Sequence, residues 1–241
     1  MIKIRIKFRK YGVMRFIGHL DIMRYFQKAI RRAEIDICYS EGFSPHQIMS
    51  FAAPLGVGIT SDGEYLDIEV NTTRSSAESI RALNETMVEG VEITGYVQLP
   101  ERAKTAMSIV AAADYNLFYK DGYDCPASVA EFADGIRQFF TEPEEVLITK
   151  QTKKSEKVMD LKTLVYGFEV SGQDGKPVFY LNLSTGSTDN LKPELVLSAL
   201  YEFMGLSYEE NAIQIHRKDV YARTENGTGF VSLLDMGEEI A

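Results

Sequence analysis

The residues best suited to chemistry crowd into one stretch, Phe16 to Phe51, which holds two of the three histidines. His19 and Asp21 stand at the expected start of a helix, where backbone N–H groups and the helix dipole favour anions. Arg24, Lys28, Arg31 and Arg32 follow about one helical turn apart (~5.4 Å) and form a ladder of cations. Arg15 lies just upstream. The loop Ser40-Glu41-Gly42-Phe43-Ser44-Pro45-His46 supplies hydroxyls, a glycine for close backbone approach and an aromatic ring. Two chemistries fit these types. Cations and N–H groups hold phosphates, while Phe43 or Tyr39 stacks a base. Alternatively, His19 and His46 act as general acid and base, with Arg24 stabilising developing charge. The catalytic candidates are His19, Asp21 and His46. The nucleic-acid candidates are Arg15, Arg24, Lys28, Arg31, Arg32, Ser40, Phe43 and His46. Plainer roles stand beside both: a solvated helix flank, a capping pair at His19 and Asp21, a core plug at Phe43 and a loop histidine at His46. The residue types His19, Asp21 and His46 suit a metal, but no Glu-x-x-His or His-x3-His spacing accompanies them, so no metal is expected.

These residues need elements to position them. Residues 2–8 alternate Ile-Lys-Ile-Arg-Ile-Lys-Phe, a half-buried strand with Lys3, Arg5 and Lys7 as an outer row of cations. A helix is expected from Gly18 to Ala33, with Leu20, Met23, Phe26, Ile30 and Ala33 as its apolar stripe. Short strands are expected at Ile35–Tyr39 and Ile48–Ala53, and a longer one over Tyr65–Val70. A helix then runs from Ser75 to Val88, and a strand from Val91 to Leu99. The order recurs: strand Met107–Tyr119, helix Pro126–Phe140, strand Val146–Gln151, a hairpin around Asp174-Gly175, helix Pro193–Met204 and strand Ala212–Ala222. The tail from Arg223 has no periodicity. The implied fold is α+β: two tandem ferredoxin-like (βαββαβ) domains with antiparallel sheets, at 1–101 and 102–241.

Composition narrows the function classes. The chain has 241 residues and a net charge of −9, but residues 1–50 hold ten Lys/Arg against four acids, +6. A basic N-terminal fifth on an acidic body points to one local face for an anionic partner. The longest apolar run, Ile109–Ala113, is far short of a membrane span of roughly 20 residues. The N-terminus lacks the apolar region of a secretory signal. A cytoplasmic protein with no membrane association is expected. Cys38 and Cys125 form no CxxC or cluster motif, so no cofactor is expected and any iron–sulfur chemistry would come from a partner. Gly56-Val57-Gly58 lacks the rest of a dinucleotide fingerprint. The lysine-rich stretch Lys150–Lys157 reads as an exposed loop able to extend an RNA-binding surface.

The pattern His19-Leu20-Asp21 with Arg24, then Arg31-Arg32-Ala33, then Ser40, Gly42, Phe43, Pro45 and His46 resembles the radical SAM-linked protein family, a bacterial domain of unknown function. Pro54-Leu55, Val57-Gly58 and Glu64-Tyr65-Leu66-Asp67 continue the likeness. Gly18, Ser44 and Gln47 stand where the family pattern has Ser, Asn and Pro. The resemblance implies a radical SAM protein as partner, with this chain as an accessory part. Three functions therefore stand open: an RNA-binding accessory module for RNA modification or maturation, a protein–protein adaptor for a radical SAM enzyme or ribonuclease, and a stand-alone RNA-processing enzyme using His19 and His46.

Overall fold

Strand β1 (Ile2–Lys10) buries Ile4, Ile6 and Phe8 on one face, as its period-2 pattern requires. Helix α1 (His19–Arg32) lies on that face through Ile22, Phe26, Ala29 and Ile30. The Phe26 ring sits 4.7 Å from Phe8 and 5.7 Å from Phe51. Leu20, expected in the apolar stripe, is 62% exposed. At 100° per residue it lies well away from the buried arc centred on Phe26 and Ala29. The computed structural model describes residues 1–151, 156–187 and 189–241.

After α1 come β2 (Met49–Phe51), β3 (Thr60–Val70), α2 (Ser76–Asn84), β4 (Val91–Gln98) and the short α3 (Ala106–Ile109). The strands order as β4-β1-β3, with β2 also on β3. The registers are antiparallel, and Ile4 faces Ile68 while Ile6 faces Leu66. Ser75 caps α2 in a reciprocal box with Glu78. Expected strand Ile35–Tyr39 forms only single bridges, Ile37 to Val70 and Tyr39 to Gln47. Expected helix Ser75–Val88 stops at Asn84, where the Thr86 hydroxyl takes the Leu83 carbonyl.

The next elements are β5 (Val110–Tyr119), α4 (Val129–Thr141), β6 (Leu147–Gln151), β7 (Glu156–Asp160), α5 (Leu161–Leu164), β8 (Val165–Gln173), β9 (Lys176–Ser184), α6 (Pro193–Phe203) and β10 (Ile213–Arg223). Here the order is β10-β5-β9-β8, and among the described residues β6 pairs only with β7. The expected hairpin forms as β8 and β9, turning at Asp174-Gly175. Its core gathers Phe132, Phe179 and Tyr201. Helix α4 starts at Val129 rather than Pro126, because Ser128 and Glu131 form a capping box. The start of the expected strand Met107–Tyr119 is α3 instead, anchored by the Ala106 N–H to Asp67 at 2.6 Å. Of the loop expected at Lys150–Lys157, Lys150–Gln151 and Glu156–Lys157 are instead the paired ends of β6 and β7, and residues 152–155 lie outside those described.

The chain is thus mixed α+β, with mostly antiparallel strands. It divides into a first unit, Met1–Ala112 with Arg217–Ala241, and a second, Ala113–His216. These differ from the expected 1–101 and 102–241 because the C-terminal stretch returns to the first unit. Arg217 pairs with Glu64 at 2.6 Å there. The expected irregular tail is ordered by that return: β11 (Phe230–Ser232) pairs with β10, and Gln98 and Glu238 exchange backbone bonds of 2.8 and 2.9 Å. Gly237 permits this approach, since a Cβ there would lie 2.6 Å from Val97.

Gly63 makes the same kind of approach on β3. A Cβ would lie 2.5 Å from the Asp219 Cα and 2.7 Å from the Lys218 carbonyl. Backbone must move to admit it, so Gly63→Ala is expected to cost about 1–3 kcal/mol. The urea unfolding midpoint reads this, and an unchanged midpoint would show that β3 and β10 can separate freely at that point.

A candidate nucleic-acid interface

The outer face of β1 is not the row of solvent-facing cations that its sequence suggests. Arg5 is 1% exposed and grips Asp67 in a two-pronged pair at 2.8 and 2.9 Å, while a third nitrogen donates to the Leu233 carbonyl. Lys7 pairs with Asp219 at 2.8 Å, and Asp219 also accepts from Tyr65 and Ser232. Burial and Asp219 together push the Tyr65 hydroxyl well above its ordinary pKa. Lys3 donates to the Ala103 carbonyl, and Arg9 pairs with Asp62 and Glu92. Lys10 is buried and donates to the Ile17 carbonyl at 2.6 Å. Burial lowers its pKa, and nearby Arg217 lowers it further against the pull of Glu64. Acids 53–212 residues away in sequence hold Arg5, Lys7 and Arg9, so the strand alone gave no sign of them.

The cations of α1 have a different fate. Arg24, Lys28, Arg31 and Arg32 are exposed. Arg24 makes an open pair with Asp21 at 3.3 Å, the kind worth ~1 kcal/mol or less. Arg32 donates to the Thr86 carbonyl. The side chains of Lys28 and Arg31 have no hydrogen bond or ion pair among the described residues. Arg15, in the 3-10 turn Gly12–Phe16, lies over the Phe16 ring at 4.7 Å. Leu20, Arg24, Gln27 and Arg31, at helical steps of four, three and four, make one ridge along the helix.

The loop after Tyr39 is closed by its ends. The Ser40 hydroxyl lies 2.8 Å from His46 Nδ1 and accepts the His46 N–H, and the Ser40 N–H donates to the His46 carbonyl. Glu41–Pro45 therefore project as a tip, and Phe43 is fully exposed there rather than plugging the core. Gln47, at the loop base, donates to the Gln27 carbonyl of α1 at 3.3 Å. The loop thus stands beside the cation ridge.

His19 lies elsewhere. Its ring meets the edge of Phe51 at 5.2 Å. The N-cap of α1 is Gly18, with no side-chain cap, so His19 and Asp21 do not cap the helix. Since Gln47 sits at the level of Gln27, His46 is separated from His19 by about 12 Å of helix. No hydrogen bond joins them among the described residues. The structure places Arg24 and Arg31 on the ridge of α1 that also carries Gln27, where the base of the Ser40–His46 loop is held, with Lys28 on the adjoining exposed flank. It does not gather His19, Asp21 and His46, and no set of three His, Cys, Asp or Glu side chains suited to a metal occurs among the described residues. No helix among them is long and apolar enough to cross a membrane.

Fold and site together define a mixed α+β protein with a basic helix ridge and a projecting aromatic loop. The chain belongs to DUF2344, the family described as uncharacterized protein conserved in bacteria, whose model matches residues 3–193. No curated protein matches the sequence. Among solved structures it is similar to a chain of the "Crystal Structure of a Cbf5-Nop10-Gar1 Complex", at 10% identity and a TM-score of 0.46, over 90% of this chain and 48% of that one. The chain therefore spans about half the length of that relative. It is also similar to the "Crystal Structure of an Unknown Protein from Galdieria sulphuraria", at 10% identity and a TM-score of 0.23, over 91% and 98% of the two chains. Likeness at these scores carries no argument about function.

Proposed function

We propose that this protein binds RNA along the α1 ridge and the Ser40–His46 loop, as an accessory module in a radical SAM-dependent RNA modification or maturation step. One observation carries the RNA reading. The basic segment spends its β1 cations on protein partners, yet the Lys28 and Arg31 side chains have no partner among the described residues, on the same helix that holds the base of the loop presenting the fully exposed Phe43. Cations hold the backbone phosphates and the ring offers a stacking face. The radical SAM partner comes from the family resemblance of residues 16–67. The separation of His19 from His46 favours binding over acid–base catalysis. A cytoplasmic place belongs to the same proposal, because the two free cysteines suit a reducing compartment. We read the chain as two ferredoxin-like variants, supported by the strand neighbours β4-β1-β3, with β2 also on β3, and β10-β5-β9-β8.

The test is RNA affinity across a salt series for the wild type and an Arg24→Glu, Lys28→Glu, Arg31→Glu variant, which leaves Arg32 on Thr86. Wild-type binding is expected to fall with salt. Loss of three phosphate contacts should flatten the log–log slope by about 2, at ~0.7 per contact on single strands. Absence of binding at low salt, or affinity unmoved by the reversal, would overturn the RNA reading. A pull-down of a protein partner that survives high salt would then support the adaptor function instead.

A further inference from the structure

Building on the RNA reading, we infer that the interface takes an unpaired strand, with Phe43 and Phe16 as two stacking stations at the ends of one track along α1. The geometry comes from three contacts between α1 with its preceding turn and the segment 47–58. Gln47 meets the Gln27 carbonyl at 3.3 Å, Phe51 meets His19 at 5.2 Å, and the Gly58 N–H donates to the Arg15 carbonyl at 2.8 Å. The segment therefore descends beside the helix, antiparallel to it, from Gln27 to Arg15. The Phe43 loop stands at its upper end. Phe16 stands below its lower end, and His19 to Gln27 alone spans about 12 Å. Arg24 lies on the ridge between them.

Phe16 is 59% exposed and Phe43 fully so. Phe43 leaves all of its apolar area, and Phe16 more than half, outside the core, where burial would stabilise the fold. Phe16 carries the Arg15 guanidinium over its face, and an aromatic ring beside an arginine plane is the usual platform for a splayed base. A duplex offers neither ring a partner, because its base faces are stacked and its deep groove excludes side chains. The helix cations alone would hold duplex and single strand alike, so the two rings confer the preference.

The test uses fluorescence anisotropy with a labelled 12-nucleotide uridine oligomer and a 12-base-pair RNA duplex. The oligomer is expected to bind at least about tenfold tighter than the duplex. Phe43→Ala and Phe16→Ala should each weaken oligomer binding by about tenfold, the usual effect of one lost stacking contact. Duplex affinity and the salt slope should not change, and Phe43→Trp should retain binding. Equal affinity for the two RNAs, or an effect at only one of the two positions, overturns this inference and leaves the RNA reading in place. Absence of binding to either RNA overturns both.

Discussion

Substitution of Asp67 by Ala is expected to destabilise the protein by about 3–5 kcal/mol, the usual result of removing one partner from a buried ion pair. Asp67 answers the Arg5 guanidinium with both oxygens, at 2.8 and 2.9 Å, and its Oδ2 also accepts the Ala106 N–H at 2.6 Å. The Arg5 side chain is 1% exposed. In the variant a full charge would sit almost out of reach of water, left to the Leu233 and Lys104 carbonyls and the Met236 thioether. The Ala106 N–H that starts α3 would lose its partner as well. Urea unfolding midpoints read the loss. A double Arg5→Met, Asp67→Leu variant should recover much of it, since an apolar pair of similar volume spares the desolvation of both charges. A cost under about 1 kcal/mol for the single variant would show that water reaches Arg5.

A second large effect is expected at Glu64. Its carboxylate holds Arg217 at 2.6 Å with side chains 7% and 4% exposed, and Arg217 also donates to the Ala53 carbonyl. Buried Lys10 shares this environment. Glu64→Gln would leave two cations without a counter-charge, again at about 3–5 kcal/mol. This site also sets a pH dependence. The Lys10 pKa is lowered from 10.5, first by burial, so the folded state binds this proton less tightly than the unfolded state. The resulting penalty is complete below the lowered pKa. It is relieved as pH rises from that value towards 10.5. The Glu64→Gln substitution should start the relief at lower pH, because Glu64 is the group that favours the charged amine. Buried tyrosines such as Tyr65 and Tyr96 titrate above their ordinary values and act in the opposite sense at high pH. The readout is therefore the stability difference between wild type and Lys10→Met at pH 7 and pH 9.5. A wild type that gains on the variant with rising pH bears the argument out, and a constant difference sinks it.

Much of the fold is legible in the chain because it is local. The alternation of residues 2–8 places Ile4, Ile6 and Phe8 on one face whatever covers them. Asp174-Gly175 makes its turn through backbone preferences of those two residues. Helix α1 begins and ends within a residue or two of its expected bounds, since its stripe is periodic. Misreadings occur where two local signals compete. Pro126 suggests a helix start, but the side chains of Ser128 and Glu131 satisfy more backbone groups. Ile35–Tyr39 carries the residue types of a strand, yet finds only single bridging partners.

The candidate site divides in the same way. Residue types alone mark Arg24, Lys28 and Arg31, since a helix must present its cations on the side away from its apolar stripe. The fate of Lys3, Arg5, Lys7 and Lys10 is invisible there. Their partners are Ala103, Asp67, Asp219 and Ile17, and most lie far along the chain. Phe43 is equally ambiguous in sequence, fit for core or surface until Ser40 and His46 close the loop beneath it.

By itself, the sequence determined which residues share a face, where most helices and strands run, and that a basic segment opens an acidic chain. These follow from short-range sterics, hydrogen bonding and periodicity. The tertiary structure alone decided which of those cations remain available to a ligand. Charge pairing is a matter of distance in space, and the return of residues 217–241 to the first unit brings Asp219 and the Leu233 carbonyl to β1 across more than two hundred positions of chain.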